Sequence, residues 1–291
     1  MSILKNKIDF ALVFSAEGAN VNGDPLDGNR PRTDYDGYGE MSDVCIKRKI
    51  RNRLQDMGES IFVQSDDRAD DGCKSLKDRA ESVKELKDLA KSKDREKYAR
   101  VACEKWLDVR AFGQVFAFGK GTESGDGLSV PVRGPVSIRM AKSVSPIDVV
   151  NMQITKSVNG ETKEGKSGKS SDTMGMKHFV DFGVYVIKGS INCQLAEKTG
   201  FSDEDAEKIK EALKTLFEND CSSARPDGSM QVCKLVWWKH KDKTPQHSSA
   251  KVHGCLKVEL KPDCDKPRSI DDYDIIIEEL DGLKPEIYDM I

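Results

Sequence analysis

Alternating patterns of apolar residues predict several β-strands. In residues 8–14, IDFALVF, large apolar side chains alternate with Asp9 and Ala11, which is the period-two pattern of a strand with one buried face. Residues 179–193 are apolar at successive positions and therefore predict a central strand that is buried on both faces. Further strands are predicted at 109–118, 130–140, 230–240 and 251–260, with an edge strand at 273–280.

Helical spacing of apolar residues predicts two helices beside these strands. Ser42 is expected to cap the first, in SDVCIKRKIRNRLQDM, and Ser202 the second, in SDEDAEKIKEALKTLFEND. Residues 59–107 predict one or two surface helices with a thin apolar stripe, typical of an insertion that leans on the main core. The order of strand, helix, strands, strand, helix and strand predicts an α+β, ferredoxin-like split βαβ domain with large insertions.

Two long segments lack the pattern of a core element. Residues 18–40 are rich in glycine, proline, asparagine and aspartate, and predict a long loop. Residues 151–178 have a short strand pattern at each end and a middle rich in glycine, serine and lysine, so they predict a hairpin arm. Loops of such length in compact domains are usually functional or disordered.

Composition narrows the class of protein. With 291 residues, of which 33% are charged and 37% hydrophobic, the chain is expected to form one decorated domain with much solvated surface. No apolar run has the length of a signal peptide or a membrane span, so we expect a cytoplasmic protein without a membrane partner. The eight cysteines are scattered singly without zinc-ligand spacing, and we expect reduced thiols and neither metal nor cofactor.

The net charge of −3 conceals a segregation of sign along the chain. Residues 43–53 contain five basic residues and one acid, and residues 129–143 contain three basic residues and no acid. Residues 262–291 contain ten acids and three bases. Because local potential governs phosphate contacts, basic segments and an acidic tail are compatible with RNA binding despite the negative total.

Several segments together resemble a known family. They are VFSAEGANVNGDP followed by MSDVCIKRKIRNRL, then VRGPVSIRMAKSVSPIDVVNMQIT, then MGMKHFVDFGVYVIKGSINCQLAEKTGFS. Their order, with a helical insertion after the first helix and an arm before the central strand, resembles the CRISPR-RNA-binding backbone subunits of type I Cascade complexes. These subunits are members of the RAMP superfamily, and the resemblance is greatest to the type I-C form and covers nearly the whole chain.

The resemblance implies a right-hand-shaped, non-catalytic subunit. It implies an RNA-recognition-like palm made of residues 1–57, 109–146 and 183–291, helical fingers at 58–108 and a thumb hairpin at 147–182. It further implies a filament of several copies on one CRISPR RNA, with each thumb displacing a base at regular intervals. Other Cascade subunits would process RNA and cut DNA, and target DNA would be recognised through the guide.

The predicted first helix carries the first candidate RNA contacts. Lys47, Arg48 and Arg51 lie close enough in sequence to face one run of phosphates, and a solvated basic face is the ordinary alternative. In the resembled family the start of this helix contacts the guide, which adds Ser42 to the candidates. Ile46 stands where that family usually has leucine.

Arg133 and Arg139 are candidates on the predicted strand 130–140. Alternation places both opposite the core face of a sheet, the surface that RNA-recognition-like domains present to RNA, although an ordinary solvent-facing strand would look the same. No strand carries the run of aromatic residues that stacks bases in such domains, so base stacking on the sheet is not expected.

The long loop and the arm supply the remaining candidates. In the loop, Asn20, Asn22 and Arg32 are favoured over Gly23 and Arg30, because the loop also carries five acids from Asp24 to Glu40. In the arm, apolar side chains can wedge between bases and lysines can follow the backbone, whereas a disordered polar loop is an equal alternative for residues 159–171. The arm candidates are Met152, Thr155, Lys156, Met174, Met176, Lys177 and His178.

Two other functions remain open from the sequence. A metal-dependent ribonuclease is the rival, because Asp24, Asp27, Asp34 or Asp36 could bind a divalent ion that activates water. The histidines have no obvious partner for acid–base cleavage of RNA. A stand-alone single-strand-binding module is the other, but it would not need the acidic tail, for which we predict contact with a neighbouring copy or another subunit.

Overall fold

The computed structural model describes residues 2–118, 129–155 and 174–290. The helices in these ranges are α1 (Asp43–Asp56), α2 (Leu76–Ser82), α3 (Lys84–Ser92), α4 (Arg95–Lys105), α5 (Leu107–Phe112), α6 (Cys193–Thr199), α7 (Asp203–Lys214) and α8 (Ser249–Gly254). The strands are β1 (Ile8–Ala19), β2 (Gly23–Asp24), β3 (Arg30–Pro31), β4 (Tyr38–Met41), β5 (Gly113–Ala117), β6 (Ser129–Arg133), β7 (Val136–Ile138), β8 (Ala141–Pro146), β9 (Val149–Thr155), β10 (Met174–Ile191), β11 (Met230–Lys239), β12 (Leu256–Leu260), β13 (Tyr273–Ile277) and β14 (Glu286–Asp289).

A large antiparallel sheet forms the centre of the molecule. Its strand order is β14-β11-β1-β10-β8-β4, and β7 and β9 also pair with β10. The 18-residue β10 is the predicted central strand, and it contacts β7, β8 and β9 at different points along its length. The α+β class predicted from the sequence is therefore confirmed.

The prediction that β1 has one buried face is wrong. This strand lies between β10 and β11 and extends to Ala19, well beyond the predicted residues 8–14. Asp9 and Ala11, assigned to an open face, are both fully buried. Alternation of large and small side chains indicated the strand correctly, but it could not reveal that both faces of the sheet are covered.

Different elements cover the two faces of the central sheet. On one face, Phe10, Leu12 and Phe14 of β1 belong to a core that includes the apolar sides of α1 and α7. On the opposite face, Ala11 and Val13 pack in a second core with α8 and the two-stranded β12–β13 sheet. The sheet thus has a helical side and a side that the C-terminal elements cover in part.

The helices α1 and α7 begin where the sequence predicted. Ser42 caps α1 by accepting a hydrogen bond from the backbone N–H of Cys45, at 3.2 Å. Ser202 and Asp205 form a reciprocal capping box at the start of α7. Such caps satisfy N–H groups that the first helical turn leaves without partners.

The insertion after α1 has a core of its own. Aromatic residues of α4 and β5 pack with Phe62, and the centroids of the Phe62 and Trp106 rings are 4.6 Å apart. This core contains α2, α3 and α4 and the hairpin of β5 and β6. Helices at 59–107 are therefore confirmed, but the described residues contain three short helices where one or two were predicted. They have a core of their own and are not a thin stripe on the main one.

Three predicted strands have different boundaries in the structure. Residues 109–112 of the predicted strand 109–118 belong to α5, and residues 249–254, which overlap the predicted strand 251–260, form α8. The predicted strand 130–140 is broken between β6 and β7 at Gly134 and Pro135. A Cβ on Gly134 would lie 2.3 Å from the carbonyl oxygen of Ala111, so the chain passes too close to α5 for any other residue.

The sequence also left some elements unassigned. The predicted loop at 18–40 contains the β2–β3 hairpin and β4, an edge strand of the main sheet, and β8 was not predicted at all.

No helix in the ranges that the structure describes is long and apolar enough to cross a membrane.

Candidate nucleic-acid interface

The N-terminus of α1 and the β2–β3 hairpin are joined at one corner of the molecule, which we call the α1 corner. The side-chain oxygen of Asn22 accepts a hydrogen bond from the backbone N–H of Ser42, at 2.9 Å. Asn20 is buried, and its side-chain amide donates to the carbonyl oxygen of Asn29 at 2.6 Å. The structure therefore brings these three predicted residues together, and it uses their polar groups to hold the loop against the helix.

Positive charge accumulates beside the α1 corner. Arg32 is half-buried and pairs with Asp24, with 3.2 Å between Nη2 and Oδ1. Lys49 and Arg225 both pair with the single carboxylate of Asp220, so one positive charge is not neutralised there. Burial lowers the pKa of Lys49, which Asp220 partly offsets. Neither Lys49 nor Arg225 was a sequence candidate, because nothing in the sequence shows that residues 49 and 225 are neighbours.

Lys47 and Arg48 occupy different environments on α1. Lys47 pairs with Asp43 one turn earlier, at 2.9 Å, and the pair is partly exposed. Arg48 donates to the backbone carbonyl of Val63 at 2.6 Å, and burial and the nearby Arg51 lower its pKa. Neither side chain is buried, so both can still contact a nucleic-acid strand that passes along the helix.

Arg51 does not share the surface expected for it. Its Nε donates to a carboxylate oxygen of the fully buried Asp108 at 2.9 Å, and its guanidinium lies 5.0 Å from the centre of the Phe112 ring. The prediction that Arg51 shares one phosphate-facing surface with Lys47 and Arg48 is wrong. The physical reason is that a buried carboxylate needs a cation beside it.

Arg133 and Arg139 are both exposed, but they do not belong to one strand. Arg133 ends β6, which pairs with β5 in a separate two-stranded sheet. Arg139 follows β7 in the main sheet, and its backbone N–H donates to the carbonyl oxygen of Lys188 at 2.9 Å. The prediction that one sheet face presents both arginines is wrong, because the Gly134–Pro135 break moves the chain from one sheet to the other.

The arm is a two-stranded ribbon formed by β9 and the first part of β10. Its register pairs Met152 with Lys177, and Gln153 with Met176. Paired residues in an antiparallel ribbon lie on the same face, so Met152 and Ile154 project from one face and Met174 and Met176 from the other. The four exposed apolar side chains are Met152 at 47%, Ile154 at 47%, Met174 at 62% and Met176 at 55%.

The arm also carries polar groups among these apolar side chains. His178 and Asn151 are hydrogen-bonded across the ribbon, with 2.7 Å between Nδ1 and Oδ1, and the Lys177 ammonium lies over the Phe179 ring. Thr155 is exposed at the end of β9. Lys156 and the lysine-rich middle of the arm, residues 156–173, lie outside the described residues. Ile154 was not a sequence candidate. Its place in a strand that ends in a polar segment could have indicated an exposed apolar side chain.

The loop aspartates that could serve a nuclease have partners within the protein. Asp24 pairs with Arg32 and accepts a hydrogen bond from the backbone N–H of Leu26. Asp34 pairs with Lys142 and accepts from two backbone N–H groups, and these interactions, led by Lys142, hold its pKa below the ordinary value. In the part of the chain that the structure describes, no three or more His, Cys, Asp or Glu residues lie close enough to hold a metal ion.

The acidic tail folds back on its own chain. In this segment β13 pairs with β12, and β14 forms an edge of the main sheet beside β11. Glu278 pairs with Lys257, Glu286 with Lys210, and Asp289 with Lys234. Part of the negative charge predicted to contact a neighbouring copy is thus already matched by lysines of the same chain.

A buried polar cluster lies where β1 begins and β11 ends, and it contains two of the histidines. Asp9 accepts hydrogen bonds from Lys7 at 2.7 Å and from His240 at 2.8 Å. Burial raises the pKa of Asp9, but these bonds outweigh it and the pKa lies below its ordinary value. His253 bonds the carbonyl oxygen of Gly189 at 2.9 Å and lies on α8. Both histidines thus join elements of the fold, as packed histidines do.

Comparisons with known proteins were made on the whole chain. The family model for "CRISPR-associated protein Cas7" matches residues 6–278. A Cas7 protein of Haloferax volcanii is 28% identical over 229 residues, which are 75% of this chain and 66% of the relative, a little under two thirds of its length. One chain of a solved CRISPR RNA-guided surveillance complex, in a pre-nicking state, has a similar fold, with a TM-score of 0.50 at 18% identity over 84% of this chain and 79% of that chain.

Proposed function

The chain belongs to the Cas7 family of CRISPR-associated proteins, and from this premise we propose that it is a backbone subunit that binds a CRISPR RNA. In this proposal several copies assemble along one guide, together with other subunits of a type I surveillance complex. The guide then recognises target DNA by base pairing, and the protein holds the shape of the RNA backbone. The proposal includes a cytoplasmic location and the type I-C form, which the sequence motifs favour.

The arm is the single observation that carries this proposal. It holds four apolar side chains in solvent, two on each face, beside a lysine and a hydrogen-bonded histidine. Exposed apolar residues on a narrow ribbon contribute nothing to a core, and apolar wedges are a known means of separating stacked bases. We therefore propose that the arm is a thumb that enters the stacked bases of the guide.

The division of the chain into palm, fingers and thumb follows from the same proposal. The strands β11, β1, β10 and β7 lie side by side, with α1 after β1 and α7 after β10, and this order supports the proposal of an RNA-recognition-like palm. We propose that residues 1–57, 109–146 and 183–291 form this palm, 58–108 the fingers and 147–182 the thumb. The separate core of the insertion supports its treatment as a unit. Because that core also includes residues of β5 and β6, we propose that this hairpin belongs to the fingers and not to the palm.

We propose guide contacts at the α1 corner, at Arg133 on β6 and along the arm. Phosphates would approach the corner, where polar side chains, helical N–H groups and an excess cation meet. Arg51 is left out because Asp108 engages it, and Lys156 remains a prediction from the sequence. The proposed contacts are Asn20, Asn22, Arg32, Ser42, Lys47, Arg48, Arg133, Met152, Thr155, Lys156, Met174, Met176, Lys177 and His178.

A non-catalytic role is part of the proposal, and the ribonuclease alternative makes an opposite prediction. The loop aspartates Asp24 and Asp34 are engaged by Arg32 and Lys142, which favours a structural role for both carboxylates. A nuclease would require one of them to release its partner and bind a divalent ion.

An assembly assay tests the proposal. The purified chain would be mixed with CRISPR RNAs of increasing length, and the mass of each complex measured by light scattering, before labelled complementary RNA or DNA is added with and without magnesium. We expect the number of bound copies to rise stepwise with RNA length while both targets remain intact. A constant single copy, or magnesium-dependent cuts that Asp24→Ala or Asp34→Ala abolishes, would overturn the proposal.

A further inference from the structure

A cleft opens on the side of the main sheet that faces away from α1 and α7. Its volume is about 400 Å³, within the range of about 300–1,000 Å³ that is usual for ligand sites. Residues of β8 and β10 form one wall, and residues of β12 form the other. The α1 corner and this cleft therefore lie on opposite sides of the sheet.

Four cations and one acid line the cleft. Arg139, Lys142 and Lys188 come from the sheet side, while Lys257 and Glu259 come from β12. The cleft is therefore more basic than the chain as a whole, whose net charge is −3.

Two of these cations are held side by side without an acid. The backbone N–H of Arg139 donates to the carbonyl oxygen of Lys188, which fixes the two residues as neighbours. Neither side chain has a carboxylate partner in the described ranges 2–118, 129–155 and 174–290. Burial, followed by the charge of Arg139, lowers the pKa of Lys188. Holding two like charges together is unfavourable, and a bound anion would relieve the repulsion.

The other two lysines can reach the same ligand. Lys142 pairs with Asp34 and Lys257 with Glu278, and neither of these acids lines the cleft. Both lysines are exposed, and ion pairs between exposed groups are weak, so these pairs exchange readily for a phosphate.

The floor between the cations is apolar. Val144 and Val186 lie on the sheet, and Val258 faces them from β12. An aliphatic surface flanked by cations suits a nucleotide, which has both a phosphate and a base. A purely acidic peptide would gain nothing from the apolar surface.

We propose that this cleft is a second binding surface, which takes a single strand of nucleic acid other than the guide. The inference rests on the proposed guide function, because it assigns Arg139 to the binding of a second nucleic-acid strand and not to the guide RNA. The ligand chemistry is a sugar–phosphate backbone with unstacked bases, which single-stranded DNA and single-stranded RNA share.

The test uses the full chain assembled on a CRISPR RNA. Fluorescent single-stranded DNA and RNA without complementarity to the guide serve as separate probes, and fluorescence anisotropy measures their affinity over a range of salt concentrations. The variant is Lys188→Gln/Lys257→Gln. The matched control is Lys5→Gln/Lys198→Gln, which removes two exposed lysines that do not line the cleft.

We expect the cleft variant to bind a probe about tenfold more weakly or worse, and the control to bind as the parent does. The slope of log affinity against log salt should fall by about two, one for each lost phosphate contact. Assembly on the guide should not change. Because Lys188→Gln removes a repulsion, the free energy of unfolding should not decrease. Lys188→Arg keeps the positive charge. An unchanged probe affinity and an unchanged salt slope in this variant would further support a contact made through charge.

Three results would overturn the proposal. The first is equal probe affinity in the cleft variant and the control. The second is weaker assembly on the guide in the cleft variant, which would make the cleft part of the guide path. The third is binding of polyglutamate in competition with the probe, which would indicate a protein partner. Failure of the parent chain to assemble on the guide would instead contradict the proposed function.

Discussion

At the scale of single residues, Asp108 determines which cations of α1 remain available. Its fully buried carboxylate accepts hydrogen bonds from the backbone N–H groups of Phe62 and Val63 and from Arg51. A carboxylate in such a place is stable only when a cation and hydrogen bonds replace its water. Arg51 therefore joins α1 to the insertion, while Lys47 and Arg48 remain at the surface.

We predict that Arg51→Ala lowers the free energy of unfolding by about 3–5 kcal/mol, because it leaves a buried carboxylate without its cation. Urea denaturation would measure the change. Arg100→Ala is the matched control, since Arg100 is exposed and pairs with Glu96 at 3.7 Å, and it should cost about 0.5 kcal/mol or less. Unchanged stability with weaker RNA binding in Arg51→Ala would show that Arg51 contacts RNA after all.

His253 makes the stability of the protein depend on pH. Burial lowers the pKa of this histidine in the folded state, where it bonds the carbonyl of Gly189. The unfolded chain then binds the proton more readily, so stability falls as pH decreases through about 6.5. Urea unfolding at a series of pH values should show this decline between pH 7 and 5. His253→Gln should flatten it, and an unaltered decline in that variant would contradict this origin.

At the scale of elements, the arm contributes little to stability and is free to bind. Its exposed apolar side chains lie on both faces of the ribbon, so no single docking surface within the chain could cover them all. An element of this kind is under selection for what it contacts outside the fold.

We predict that Met152→Ser/Met176→Ser, which removes one apolar side chain from each face, changes the free energy of unfolding by less than about 0.5 kcal/mol. The affinity for CRISPR RNA should fall about fivefold or more, equivalent to roughly 1 kcal/mol. Ile276→Ser/Ile287→Ser is the control, because these residues are exposed to 47% and 46% outside the arm. Equal RNA affinity in the two double variants would contradict a role for the arm.

Elements could be predicted where local chemistry decides the structure. The capping serines and apolar spacing of α1 and α7 gave both helices, and the doubly apolar β10 gave the central strand. The predicted strand 109–118 includes residues 109–112, but these belong to α5, where Val109 and Ala111 are buried by contacts with distant elements. Local periodicity cannot distinguish these cases in so short a segment.

At the scale of the whole molecule, the described residues form three cores. The central sheet has α1 and α7 on one side and the C-terminal elements on the other, and the insertion has its own core. In the described residues, Arg51 with Asp108 and Arg68 with Asp56 join the insertion to α1, and a bidentate pair of Arg110 with Asp205 joins α5 to α7.

The candidate site could be predicted only in part, because local sequence patterns do not show which distant residues become neighbours. Its residues at the α1 corner and in the arm lie close in sequence, so their grouping was visible. The convergence of Arg139, Lys188 and Lys257 in one cleft depends on β7, β10 and β12, which are brought together only by the sheets. The sequence likewise could not show that Asp220 is shared by Lys49 and Arg225.

The central claim is that copies of this chain repeat along a guide RNA with their arms among its bases. Ribonuclease footprinting of the CRISPR RNA in the assembled complex tests it most directly. We expect continuous protection interrupted by reactive nucleotides at one constant spacing, and we expect those nucleotides to become unreactive in Met152→Ser/Met176→Ser. A single protected stretch that does not extend with added protein, or protection without a constant spacing, would contradict it.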